Sequence, residues 1–242
     1  MLELINVRLD VDDEAGHVDI VRDVSFTIPE NKFVVITGPN GGGKSTLARL
    51  IAGIERPTAG RILMDGRDIT DTTITERAKM GVGFAFQQPV KFKGIRVIDL
   101  LRLAAGRELS VVDACEYLSA VGLCARDYIE REVNASLSGG ELKRIEIATV
   151  RARATVLSIF DEPEAGIDLW SFQNLIEVFQ TMRRDIRDSS ILIISHQERI
   201  LNIADEIVVL RDGAVERRGP RDEILPGLIG TASAVEACAR VR

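Results

Sequence analysis

The segment Gly38-Pro39-Asn40-Gly41-Gly42-Gly43-Lys44-Ser45 fits the pattern G-x-x-x-x-G-K-[ST]; the apolar run Phe33 to Ile36 precedes it, and Leu47, Leu50, Ile51 and Ile54 follow at helical spacing. A loop of this kind works only where a strand hands the chain to a helix. Its glycines let the backbone curl around phosphates, and its amides and the positive end of the helix face the anionic oxygens. Lys44 adds charge at the β- and γ-phosphates, and Ser45, with Thr46 beside it, offers a hydroxyl to Mg²⁺. A nucleoside triphosphate with Mg²⁺ is the expected ligand.

A strand, phosphate loop and helix in succession call for an open α/β sheet, and three more segments fit it. Val82 to Phe86 runs into Gln87, Val156 to Phe160 into Asp161, and Ile191 to Ile194 into His196. Short apolar runs like these are buried parallel strands. Ligands sit at the carboxyl ends of such strands, so Gln87, Asp161 and His196 are expected to converge on the phosphate loop. Asp161 can reach the metal through water, and Glu162 beside it can orient or deprotonate an attacking water. Farther back, Leu137-Ser138-Gly139-Gly140-Glu141 opens a helix carrying Leu142, Ile145 and Ala148, and presents a hydroxyl, free amides and a helix dipole to an anion.

The first sixty-odd residues alternate apolar and polar, as half-exposed antiparallel strands do. Residues 90 to 153 carry helical periodicity without strand signals. The organisation expected is a single domain over 1–242, with 1–88 and 154–242 forming the core and its β subdomain and 89–153 a helical subdomain. Past Gly219-Pro220 there are modest helix signals and an Ala- and Arg-rich end.

A formal net charge of −6 leaves no basic footprint for a nucleic-acid partner. No apolar run approaches the ~18 residues that span a bilayer and the start has no leader pattern, so a cytoplasmic location is expected. Cys115, Cys124 and Cys238 are widely spaced and form neither a disulfide framework nor a metal site.

Taken together, the phosphate loop, Gln87, Leu137 to Glu141, Asp161-Glu162, Asp168 and His196 stand in the order and approximate spacing of ABC ATPases, which the chain resembles over nearly its whole length. The resemblance implies a P-loop NTPase fold, RecA-like with a mostly parallel sheet, an N-terminal antiparallel β subdomain and a helical insertion. It also implies ATP hydrolysis in a head-to-tail homodimer, in which Ser138, Gly139, Gly140 and Glu141 of one subunit cover the γ-phosphate held by the other's loop. Carried over, Gln87 senses metal and partner, Asp168 belongs to the D-loop and His196 meets the γ-phosphate. Metal ligation falls to Ser45, Gln87 and Asp161, and catalysis to Glu162, His196 and Gln87. A register shift of one would put Gln88 in the place of Gln87. Many family members stack adenine on an aromatic side chain near the second strand; Val11, the best-placed residue here, has no Phe, Tyr or Trp neighbour from Asp10 to Asp19, which implies a weak grip on the base.

Within the family, Ala85 to Val90 with Gly94, Ser138 to Glu141 with Lys143-Arg144, Glu164 with Gly166, and His196 to Leu201 resemble the iron–sulfur assembly ATPases of the SufC type. The helical insert is shorter than that group's, and Ile167 replaces its usual Leu. This resemblance implies a soluble scaffold of the SufB/SufD type as partner, with any cluster held there, because the chain has no Cys or His set able to hold iron. The alternative is the ATP-binding subunit of a membrane ABC transporter, with a transmembrane permease docked on the same Gln87 to Arg96 surface. The segment Pro89 to Ile95 is either that docking surface or a loop packing Phe92 and Ile95 into its own helical lobe.

Overall fold

The computed structural model describes residues 1–13, 16–134, 136–185 and 188–229. Its strands are β1 (Leu2–Asp13), β2 (Gly16–Ile28), β3 (Phe33–Thr37), β4 (Ala59–Met64), β5 (Arg67–Asp68), β6 (Val82–Ala85), β7 (Leu157–Asp161), β8 (Ser190–Ile194), β9 (Glu206–Arg211) and β10 (Ala214–Pro220). The helices are α1 (Lys44–Ala52), α2 (Ile74–Lys79), α3 (Val97–Ala105), α4 (Val111–Ala120), α5 (Ala125–Tyr128), α6 (Gly139–Ala152), α7 (Leu169–Asp185) and α8 (Glu198–Leu201). Residues 221–229 are also helical. Cys238 and the Ala- and Arg-rich end lie outside the described residues.

Two sheets result. One is antiparallel in the order β2-β1-β4-β5; the other runs β10-β9-β3-β8-β7-β6, parallel from β9 to β6 and closed by the antiparallel β10. The four apolar runs read as parallel strands are β3, β6, β7 and β8. Sequence reading did not single out the fifth, β9, whose Ile207 to Leu210 are buried beside β3.

The near-continuous hydrophobicity of the central strands follows from burial on both faces. Along β3, Phe33 and Val35 point into a core shared with α3, α4, α6 and α7, where Phe179 stacks edge-on against Phe33 and Phe160. Val34 and Ile36 point the other way, onto Leu47 and Ile51 of α1 and onto Phe26 and Ile62 of the antiparallel sheet. The phosphate loop is thereby anchored between two cores. Helices α3 to α6 fall within the span 89–153.

Arg77 of α2 is fully buried. Its guanidinium donates to the carbonyls of Leu50 and Ile51, at 2.6 and 2.9 Å, and of Ile69 and Thr70, at 2.7 and 2.9 Å. The first two belong to the last turn of α1, whose carbonyls lack helical partners. Burial pulls Arg77 down to about 10, against Asp68 and Asp71, which leaves it charged at neutral pH. Arg77→Ala takes the donor from the Ile51 and Thr70 carbonyls, while Leu50 and Ile69 keep the amides of Gly53 and Thr72; the expected loss is about 3 kcal/mol, or ~6–12 °C in thermal midpoint for a chain of this size. Calorimetry checks this; a shift of a degree or two would mean that water replaces the guanidinium at no cost.

Candidate functional site

Backbone conformation fixes the phosphate loop first. Gly38 has φ +136°, and a Cβ there would lie 1.9 Å from the Leu210 carbonyl oxygen of β9. Gly43 has φ +86°, and a Cβ there would meet the Ile20 carbonyl at 2.6 Å. Neither position admits a side chain, which explains the glycines in physical terms. Gly43 is also the N-cap of α1 and supplies no side-chain cap, leaving first-turn amides for an anion.

Around this loop the cleft is lined by Ile20, residues 40–46, Gln87, Glu162 and His196. Lys44 is buried, and its Nζ donates to the carbonyls of Gly38 at 2.9 Å and Pro39 at 2.8 Å. Burial lowers Lys44 from the usual lysine range, with Glu162 and Asp161 opposing. Asp161, at the end of β7, accepts from the Ser45 hydroxyl at 2.8 Å, and burial raises it from the usual carboxylate range. These two oxygen groups form a hard donor pair suited to Mg²⁺.

Glu162 is left-handed, at φ 43°, and its N–H donates to the Ile194 carbonyl at 3.0 Å. A non-glycine residue in this region is strained by about 1–3 kcal/mol. The turn carries its carboxylate into the cleft, where Oε2 accepts from Gln87 Nε2 at 2.6 Å. The contact is made by Gln87, so the register needs no shift to Gln88. His196 is exposed on the cleft wall after β8. Beside it, Glu164 accepts from the Ser195 hydroxyl at 2.5 Å, and burial raises its carboxyl.

The structure does not bring every expected residue into this cleft. Ser138 caps α6 in a reciprocal box: its Oγ accepts from Glu141 N–H at 3.2 Å, and its own N–H donates to Glu141 Oε2 at 2.6 Å. The Tyr128 hydroxyl also donates to Glu141, so that carboxylate is committed to the cap and its lobe. Ser138, Gly139, Gly140 and Glu141 are absent from the lining of the cleft, and a Cβ on Gly139 would lie 3.8 Å from the Gly166 carbonyl. Asp168, just before α7, is exposed, and its carbonyl accepts from Phe172 N–H at 2.9 Å. Within one chain none of Ser138 to Glu141, the signature turn at the start of α6, lines the cleft of the phosphate loop.

Val11 is exposed on the β1–β2 hairpin opposite Val18 and does not line the cleft; Ile20 is the β2 side chain that does. Sequence reading missed Ile20. The available signal was its period-two spacing from Val18 on the strand that passes the loop.

Fold and site define an ATP-hydrolysing cassette of the ABC type. The profile of the ABC transporter family matches residues 21–165, and the chain belongs to that family. An uncharacterised ABC transporter ATP-binding protein of Methanocaldococcus jannaschii, MJ0035, is 40% identical over 217 residues, 86% of each chain. The sulfate/thiosulfate import ATP-binding protein CysA of Synechococcus elongatus is 32% identical over 88% of this chain and 62% of its own length. Among solved structures, the dimeric cassette MJ0796 bound to ADP and Pi superposes with a TM-score of 0.81 over 91% of this chain and 99% of its own, at 24% identity, and so shares the fold.

Proposed function

We propose that the chain turns ATP hydrolysis at a site shared by two subunits into movement of a partner protein, and that the partner is the permease of an ABC transporter. The observation that carries this is the 2.6 Å contact between Gln87 and Glu162, because the residues flanking Gln87 form the wall of an apolar groove. That groove is lined by Phe84, Phe86, Val90, Phe92, Leu100 and Leu103, of which Phe86, Val90 and Leu103 are exposed. Phe92 packs partly onto the helical core, and its N–H donates to the Val133 carbonyl at 2.8 Å, so the segment both folds onto its lobe and presents an apolar surface. Lys91 and Lys93 on either side of it are exposed. Apolar floor and basic rim suit an amphipathic helix with acidic flanks.

In the site, Glu162 takes the role of general base or water orienter, His196 meets the γ-phosphate, and Lys44 turns from the loop carbonyls to the phosphates. Ser45 and Asp161, with Gln87, would hold Mg²⁺, which draws charge from the phosphate oxygens when bound with ATP. Ser138 to Glu141 and Asp168, which lie outside the cleft, complete the site of the opposing subunit.

Similarity to an ABC transporter ATP-binding protein and to a sulfate/thiosulfate import ATP-binding protein supports a permease partner. No helix among the described residues is long and apolar enough to cross a membrane, so a membrane partner would be a separate protein or segment. A second reading, a soluble scaffold of the SufB/SufD type, rests on the resemblance of segments holding Lys143, Arg144, Glu164 and Gly166 to the iron–sulfur assembly ATPases.

Purification with the native partner separates the two: a polytopic membrane protein supports the first, a soluble scaffold the second, and no partner at all contradicts both. Lys91→Glu with Lys93→Glu is expected to weaken partner binding about tenfold or more, chiefly through the association rate, and to abolish partner-stimulated turnover while leaving the basal rate intact. Equal partner binding by the doubly reversed chain would remove this rim from the interface.

A further inference from the structure

The strand β6 is the edge of the parallel sheet, so the backbone that leaves it at Phe86 has no neighbouring strand to pair with. Two side chains of α6 take that place. Glu146 Oε1 accepts from the Phe86 N–H at 2.9 Å, while Lys143 Nζ donates to the Phe86 carbonyl and lies 3.4 Å from the Gln87 carbonyl. Lys143 and Glu146 face each other one helical turn apart at 3.1 Å, and the lysine side chain is 1% exposed. Both polar groups of one backbone unit are therefore held by a buried ion pair.

This location is costly, because a buried pair is often no more stabilising than apolar residues of the same volume. Its geometry gives it another use. Ser138 caps the first turn of the same helix, and Phe86 immediately precedes the glutamine whose Nε2 reaches Glu162. We infer that Lys143 and Glu146 are positioning residues: they lock the segment carrying Gln87 to the signature helix, so that engagement of α6 by an opposing subunit is delivered to the Gln87–Glu162 contact as a rigid displacement. The inference rests on the roles proposed above for Gln87 and Glu162. It also explains the pair's place: a clip one turn farther along α6 would miss Phe86, and an apolar pair could not grip an N–H and a carbonyl at once.

Hydrogen exchange and kinetics of two variants test it. Lys143→Met/Glu146→Leu replaces the pair by apolar side chains of similar size, whereas Glu146→Gln keeps an acceptor for the Phe86 N–H. In the double variant the Phe86 amide is expected to lose roughly tenfold or more of its protection. Its kcat should fall roughly tenfold with ATP affinity within about twofold of wild type. Glu146→Gln should recover much of both. In a Glu162→Gln background with ATP, the wild-type clip should transmit a change in exchange at residues 86–88, and the double variant should not. Unchanged protection and kcat would overturn the inference, and so would parallel losses of ATP affinity and thermal stability, which would make the pair a folding element only. Failure of the Glu162 reading is separately visible, because a Glu162→Gln chain would then hydrolyse ATP normally whatever the state of the clip.

Discussion

Glu162→Gln is expected to lower ATP turnover by on the order of 10² to 10⁴-fold while leaving ATP binding intact. The substitution removes basicity and little else. Gln87 Nε2 can still donate to the side-chain carbonyl oxygen of a glutamine, and the N–H of residue 162 can still meet the Ile194 carbonyl at 3.0 Å. The groups proposed to grip phosphate, Lys44 and the first turn of α1, lie outside the change. Because nucleotide then binds without being consumed, the closed two-subunit state should accumulate. Light scattering with ATP and Mg²⁺ should report twice the mass found without nucleotide, and the wild-type chain should show it only transiently. Hydrolysis by the variant at the wild-type rate would remove Glu162 from the chemistry.

Much of this site was legible in the sequence because parallel sheets oblige it to be. Runs such as Ile191 to Ile194 must be strands buried on both faces, and whatever follows them stands at the same edge of the sheet. That is why Gln87, Glu162 and His196, scattered over more than a hundred positions, meet beside Lys44 in one cleft. The signature turn was legible for a different reason: a Ser-Gly-Gly-Glu before an apolar helical stripe is a capping box, and the box is present.

What escaped the sequence depended on tertiary approach. Ile20 is an ordinary strand residue until the fold brings its carbonyl against Gly43. Arg77 reads as a solvated helix residue, yet it is buried and closes the C-terminal turn of α1. Lys143 and Glu146 stand at an ordinary i,i+3 spacing, and only the edge position of β6 turns them inward. The left-handed conformation of Glu162 had no local signal either, since glutamate rarely adopts it without surroundings that enforce it. Strand β9 carries the same apolar run, from Ile207 to Leu210, and differs from the other four in leading into a turn, Asp212-Gly213, that does not line the cleft.

The second large effect concerns the sharing of the site. Lys44 lies under the cleft of its own chain, whereas Ser138 lies outside it on the cap of α6. In a head-to-tail pair, each complete site draws its phosphate loop from one subunit and its signature turn from the other. Lys44→Ala spoils the loop by removing the charge at the phosphates. Ser138→Arg spoils the turn by replacing the small capping hydroxyl with a long cation. Either change in a homodimer damages both sites and should all but abolish hydrolysis. A mixed dimer is different, because one of its two sites combines the intact loop of the Ser138→Arg chain with the intact turn of the Lys44→Ala chain. Random pairing of equal amounts makes half of the dimers mixed, each with one sound site, so activity should return to about one quarter of the wild-type rate if sites act independently. The decisive measurement is therefore the ATPase rate of the two inactive chains mixed at equal concentration. Recovery toward a quarter of wild type from two silent components is the result a shared site predicts; full activity from either variant by itself, or a mixture as silent as its parts, would contradict it.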